Sequence, residues 1–212
     1  MNLRSASFRP WHTLDVRLAM GRSDPTSHAT FSGNRNPHLA WEGVPTGTRS
    51  LALWCVDSEA PAVGTDVNKA DRSVSMWLER CDFHHWVVCD LPAGLREIEE
   101  GSHSDGVTIR GKALGPTRHG GRQGLNDYTT WFAGDPKLAG TWAGYDGPFP
   151  PWNDERMHSY RFTLVALDTP QMALPDNFDG PALRRAVNGH VIGAARLTGL
   201  YAINPKAREQ AR

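Results

Sequence analysis

The chain has 212 residues, enough for one sizeable core, and its 23 Lys and Arg balance its 23 Asp and Glu. No overall field draws it to nucleic acid or an anionic membrane, so any anion site must be local. Arg4, Arg9, His12, Asp15 and Arg17 interrupt the stretch Met1 to Met20, which excludes a signal-like apolar run, and no later segment approaches the roughly 20 apolar residues of a membrane span.

Three cysteines, Cys55, Cys81 and Cys89, form an odd set without metal-ligand spacing, the pattern of reduced thiols in a cytoplasmic protein rather than of a disulfide framework. Short apolar runs bounded by Gly, Pro, Asn and Asp dominate. They predict a single domain over 1–212, mainly β: an antiparallel, Greek-key-like β-sandwich with a C-terminal helix and long irregular loops.

In chain order, Leu14 to Ala19 alternates and predicts a strand. Asn34-Arg35-Asn36-Pro37-His38-Leu39-Ala40-Trp41 reads as a turn leading into a brief strand, and Pro45-Thr46-Gly47-Thr48 as a second turn. Ser50 to Asp57 is a strongly apolar strand that runs into Ser58-Glu59-Ala60-Pro61, placing the carboxylates of Asp57 and Glu59 at a sheet rim. Asp57 has a plainer reading as well, a cap on nearby backbone N–H groups. Ala62 to about Ser75 carries no strand or helix signal, and loops of that size are usually functional or mobile.

His84 to Asp90, rich in Trp and Val, predicts the next strand. Strict alternation sets His85 with Val87 and Cys89, and His84 with Trp86 and Val88, so both histidines cannot line one pocket unless the strand bulges. From the residues alone either could be the ligand-facing one. Gly101 to about Asn126 is irregular and contains Arg118-His119-Gly120-Gly121-Arg122-Gln123-Gly124. Its glycines could present N–H groups to an anion, but no Walker or dinucleotide pattern is present, which favours a solvated surface loop.

Trp131, Phe132, Trp142, Tyr145 and Trp152 form either an exposed patch for a protein partner or packing residues of the core and loops. The rigid turn Gly147-Pro148-Phe149-Pro150-Pro151 leads to a strand over Ser159 to Asp168, and alternation points His158, Tyr160 and Phe162 to one face. Leu183, Ala186, Val187, Val191 and Ala194 follow the helical period, so a helix is expected over Leu183 to Ala195, with Pro181 in its first turn. Leu197 to Tyr201 is a short final strand.

Taken in this order, Pro37 to Trp41, Asp57-Ser58-Glu59-Ala60-Pro61, His84-His85-Trp86-Val87-Val88, Gly147 to Pro151, His158-Ser159-Tyr160, Gly189-His190 and Leu197 to Tyr201 resemble the phosphatidylethanolamine-binding protein family. The likeness is to its bacterial branch, often described as Raf-kinase-inhibitor-like. It implies a sandwich of antiparallel sheets with a small cavity that accepts phosphate-like or carboxylate-like anions. By that resemblance Asp57 and Glu59 match the two aspartates of an Asp-Pro-Asp-Ala-Pro motif, with Glu59 secondary. His85 then matches the pocket histidine, His158 and Tyr160 the pair after the proline-rich turn, and Gly147 and Pro148 the turn that lends backbone to the cavity. Ser58, Glu59, Phe149 and Ser159 depart from the usual proline, aspartate, cysteine and arginine.

The expected function is non-enzymatic binding of a small anion or phospholipid headgroup, with room for ligand-dependent regulation of a protein partner and for a homodimer. The alternative is a hydrolase or lyase that uses Asp57, His85 and His158 as acid-base groups, with or without a metal. No nucleophile motif or His-Glu-x-x-His supports it, and no cofactor or metal is expected.

Overall fold

The computed structural model describes residues 1–210. In chain order the elements are β1 (Asn2–Arg4), a 3-10 turn (Val16–Leu18), β2 (Gly21–Asp24), β3 (His28–Phe31), β4 (Leu39–Glu42), β5 (Ser50–Pro61) and β6 (Arg80–Pro92). There follow β7 (Glu97–Ile98), β8 (Gly115–Pro116), β9 (Arg122–Gln123), α1 (Tyr128–Trp131), β10 (His158–Leu167), α2 (Gly180–Ala186), β11 (Val191–Tyr201) and α3 (Pro205–Gln210).

The longest apolar runs become the centre of a six-stranded antiparallel sheet of order β11-β10-β5-β6-β9-β8. β5 reads as a nearly continuous apolar run because both of its faces are covered. One face, through Leu53, Cys55, Trp86 and Phe162, packs against Leu3, Leu39, Trp41 and Ile98 of a three-stranded sheet of order β1-β4-β7. The other face, through Ala52, Val87, Cys89 and Val165, is closed by Phe178 and by Leu183 and Val187 at α2. β5 and β6 are sequential neighbours, and β10 returns after a long excursion to the far side of β5, which is the Greek-key connection expected of a sandwich. All three cysteines are unpaired, and no helix among the described residues is long and apolar enough to cross a membrane.

Two elements differ from the sequence expectation. Leu14 to Ala19 is not a strand: Leu14 N–H bonds the Leu200 carbonyl, and Asp15 then accepts the Arg17 N–H and starts the 3-10 turn. Leu14 and Leu18 are buried while Val16 is exposed, a spacing that belongs to a turn and not to a pleat. The expected helix Leu183 to Ala195 is also shorter and starts earlier. Asp179 caps it by accepting the Ala182 N–H, Pro181 fits its first turn, and Gly189 at φ +83° reverses the chain. Val191 onward joins the sheet as an edge strand, and Gly193 lies against Pro45, so close that a Cβ would come within 2.7 Å of its ring.

The Gly-rich loop is a short hairpin at the opposite sheet edge, with Arg122 committed to Asp90 at 2.8 Å and to the carbonyls of Met172 and Leu174. That agrees with the surface-loop reading. Trp142 and Tyr145 are buried in the core, as the packing reading of these aromatics has it, so the five do not form one exposed patch.

Candidate functional site

A cavity of about 430 Å³ opens where β5, β6 and β10 leave the core. Asp57, His85, His158 and Tyr160 all line it. The pairing register explains how three strands aim them together. Tyr160 of β10 sits opposite Asp57 of β5, and Asp57 sits opposite Phe83 of β6. Cys55 pairs with Trp86 but the next residue, Val56, pairs with His84, so His85 is the extra residue of a β-bulge.

The bulge overturns the strict alternation along this strand. His85 and Trp86 lie on the same face, His85 edge-on to Tyr160 with ring centroids 5.1 Å apart and Trp86 in the core below. His84 points the other way with Val87, beneath Gly180 of α2. A second irregularity between Asp57 and Ala60 lets both residues face the cavity.

A buried chain of alternating charges forms one wall. Asp57 Oδ2 lies 2.7 Å from His158 Nδ1, and His158 Nε2 lies 3.1 Å from Asp154 Oδ2. Arg80 then grips Asp154 with two bonds of 2.6 and 3.1 Å. Burial alone would lower the His158 pKa, but the charge of Asp57 and the bond to Asp154 outweigh it and raise it to about 9. Burial likewise works to raise Asp57, yet the imidazolium holds it below the usual carboxylate range. His158 is therefore a cation with both N–H groups spent on carboxylates. Asp57 Oδ1 accepts the Glu59 N–H at 2.8 Å, so Asp57 both lines the cavity and caps local backbone.

The polar groups left over belong to Tyr160 and His85. The Tyr160 hydroxyl is buried and has no hydrogen-bond partner. Burial and the nearby Asp57 charge push its pKa well up, so it stays a donor. His85 Nδ1 is 2.8 Å from the Asp146 carbonyl, to which it donates, and Nε2 has no protein partner. Burial lowers the His85 pKa, which keeps the ring neutral and makes Nε2 an acceptor. The cavity thus offers one buried donor without a partner beside one acceptor that has no protein partner, with aromatic walls from Phe83, Tyr128, Trp131 and Phe149.

A family model described as phosphatidylethanolamine-binding protein matches residues 5–202. The chain belongs to that family. Among its relatives, a UPF0098 protein of Methanothermobacter thermautotrophicus is 32% identical, covering 84% of this chain and 89% of its own. UPF0098 protein YbcL of Escherichia coli is 29% identical, covering 94% and 91%. The crystal structure of YbcL, described as a new member of the mammalian phosphatidylethanolamine-binding protein family, superposes with a TM-score of 0.67 at 25% identity, over 96% of this chain and 98% of that one. A phosphatidylethanolamine-binding protein homologue from Chlamydia trachomatis shares the fold at a TM-score of 0.62 and 22% identity, over 94% and 95% of the two chains.

Not every residue carried over from the phosphatidylethanolamine-binding protein motif reaches the cavity. Gly147 and Pro148 do not line it; Phe149, Pro150 and Pro151 do. Gly147 donates its N–H to Asn34 Oδ1 and accepts the Tyr128 hydroxyl, while the Pro148 carbonyl takes the Gly21 N–H. These two residues anchor the turn and leave its later prolines to shape the pocket. Glu59 also stays outside, its carboxylate accepting the Ser159 N–H and hydroxyl at 2.8 and 2.7 Å. Two of the four departures from the family pattern, Glu59 and Ser159, therefore satisfy each other.

The metal reading meets a geometric obstacle, since His158 has no free ring nitrogen and no group of three or more His, Cys, Asp or Glu is placed to hold an ion among the described residues. Several contributors were not anticipated. Asp154 and Arg80 complete the charge chain, Asp82 and Asp127 add partly exposed carboxylates to the lining, and Asp146 orients His85. The Asp146 carboxylate is itself fully buried and bonded to Lys112, Asn34 and Asn126. Its position directly before Gly147-Pro148 was the available signal; nothing in the sequence marks Asp127 or Lys112.

Proposed function

We propose that the cavity binds a small phosphate monoester or the headgroup of a phospholipid, without catalysing a reaction on it. The observation that carries this reading is the buried Tyr160 hydroxyl with no partner, next to a neutral His85 whose Nε2 is a bare acceptor. A phosphate monoester monoanion has both complements, an oxygen to accept from Tyr160 and a P–OH to donate to His85; a phospholipid headgroup, a diester without a P–OH, meets Tyr160 with a phosphoryl oxygen and His85 with an N–H of its ammonium. Asp57 does not repel it strongly, because its charge is answered by His158.

Asp127, which lines the cavity while its Oδ2 accepts the His84 N–H, adds negative charge that suits the ammonium of an ethanolamine-type headgroup, whereas Asp82 is already paired with Arg184. Against catalysis stands the state of His158: with both nitrogens bonded to carboxylates, it has neither a lone pair to act as base nor a free proton to give. Calorimetric titration with phosphorylethanolamine tests the reading. Binding should occur and weaken roughly 10- to 100-fold in Tyr160→Phe, the range for a hydrogen bond to a charged group. Equal affinity of the two proteins would refute it.

A further inference from the structure

A second cavity, of about 470 Å³, lies between β6 and α2 and is lined by Asp82, His84, Asp127, Arg184, Arg185 and Asn188 together with Pro181. It shares Asp82 and Asp127 with the ligand cavity, but His84 lines this one and His85 the other. His84 is only 2% exposed. Asp127 Oδ2 accepts its backbone N–H at 2.6 Å and, at 3.1 Å, the proton on its Nδ1. Gly180 packs on the ring so closely that a Cβ would come within 2.0 Å of Cδ2, which holds the imidazole in that pose. The ring's other nitrogen, Nε2, is buried and has no hydrogen-bond partner. Buried polar atoms are ordinarily paired, so this one marks the place of a missing partner.

The ligand cavity shows what completes such a unit. There Asp57 holds His158 Nδ1, while Asp154 closes Nε2 and is itself gripped by Arg80. The second cavity has an aspartate on Nδ1 and guanidinium groups in its wall, and lacks the carboxylate on Nε2. We propose that this cavity is a binding site for a small carboxylic acid, whose carboxylate bridges His84 Nε2 and Arg185 as Asp154 bridges His158 and Arg80. In the neutral ring Nε2 is a lone pair, and the acid brings the proton that makes it a donor; the carboxylate then accepts from Nε2–H and from the guanidinium. The lining charges fit one such anion. Arg184 is paired with Asp82, and Asp127 answers the imidazolium. Arg185, which has no ion-pair partner among the described residues, is the cation left for the ligand.

Acetate is the probe, titrated into the full chain while the histidine ring nitrogens are followed by NMR. We expect a saturable shift of His84 Nε2 with His85 unmoved. Arg185→Ala, at an exposed position, should weaken acetate about tenfold and leave the fold and phosphorylethanolamine binding unchanged. His84→Phe keeps a ring beneath Gly180 but removes the nitrogen, and should abolish acetate binding by calorimetry. If His84→Phe does not fold, Arg185→Ala carries the test alone. No movement of His84 in the millimolar range of acetate would overturn the site. Equal acetate affinity in wild type and Arg185→Ala, or an equal His84 shift with chloride, would overturn it too. A shift of His85 in place of His84 would assign acetate to the ligand cavity and refute the second site. Phosphorylethanolamine is read separately, so its failure to bind would count against the function proposed above and not against this site.

Discussion

Raising the pH removes the proton that holds the Asp57–His158–Asp154 chain together, and the cost can be worked from the structure. His158 titrates near 9 in the folded protein against an ordinary 6.5. At about 1.4 kcal/mol per pH unit, that difference contributes about 3 kcal/mol to stability. The folded-state pKa lies above the unfolded one, so the contribution is complete below 6.5, declines as pH rises through the interval, and is gone once pH exceeds about 9. Asp57 acts in the opposite direction, its contribution being lost only as pH falls through its lowered folded value. Urea unfolding at steps from about pH 6 to about pH 9.5, on wild type and His158→Gln, isolates the effect because the buried Cys55 and Cys89 titrate alike in both. The stability difference between the two should shrink by about 3 kcal/mol across the range. Should His158→Gln fail to fold, Asp57→Asn removes the partner that raises the histidine most and should flatten the wild-type slope. A difference that stays constant from about pH 6 to about pH 9 would refute the charged state assigned to His158.

Tyr160→Phe should weaken phosphorylethanolamine binding yet leave the protein as stable or about 1 kcal/mol more so by chemical denaturation, because it removes a buried hydroxyl without a partner. Phosphate affinity should fall about tenfold per unit as pH rises above the second phosphate pKa of about 6, since the site pairs a neutral His85 with a P–OH; titration at several pH values would show it. Lys112→Met strands the buried Asp146 carboxylate, which burial already pushes up in pKa. It should destabilise the fold by roughly 2–3 kcal/mol and shift the His85 ring resonances, because the same residue's carbonyl holds Nδ1. Gly21→Ala should displace the Phe149 ring that lies directly on that glycine, costing roughly 1–3 kcal/mol in thermal or urea unfolding and altering headgroup affinity.

The fold was legible where hydrophobic pattern and burial agree, as in β5, β6 and β10, whose runs are apolar because the sheet is covered on both faces. It was not legible where a single polar or glycine residue overrides the pattern. Asp15 turns an alternating run into a 3-10 turn, and Gly189 ends a helix whose apolar spacing continues into an edge strand. The face shared by His158, Tyr160 and Asp57 followed from alternation and motif, but the orientation of His85 depended on a bulge that no residue in Phe83 to Cys89 announces. The family resemblance implies Gly147 and Pro148 for the cavity, whereas the chain uses the first half of that turn to anchor and the second half to line. Asp154, Asp127 and Lys112 come from irregular segments, where position is fixed by long-range hydrogen bonds and leaves no periodic trace.

The central claim is that Tyr160 and His85 together receive the phosphate of a small ligand. The most direct measurement is nitrogen-detected NMR of the histidine rings during titration with phosphorylethanolamine, in wild type and Tyr160→Phe. A saturable shift of His85 Nε2, with Nδ1 still bonded to the Asp146 carbonyl and the shift much weakened in the variant, is the predicted result. No movement of His85 at millimolar ligand, or an identical response in the variant, would contradict it.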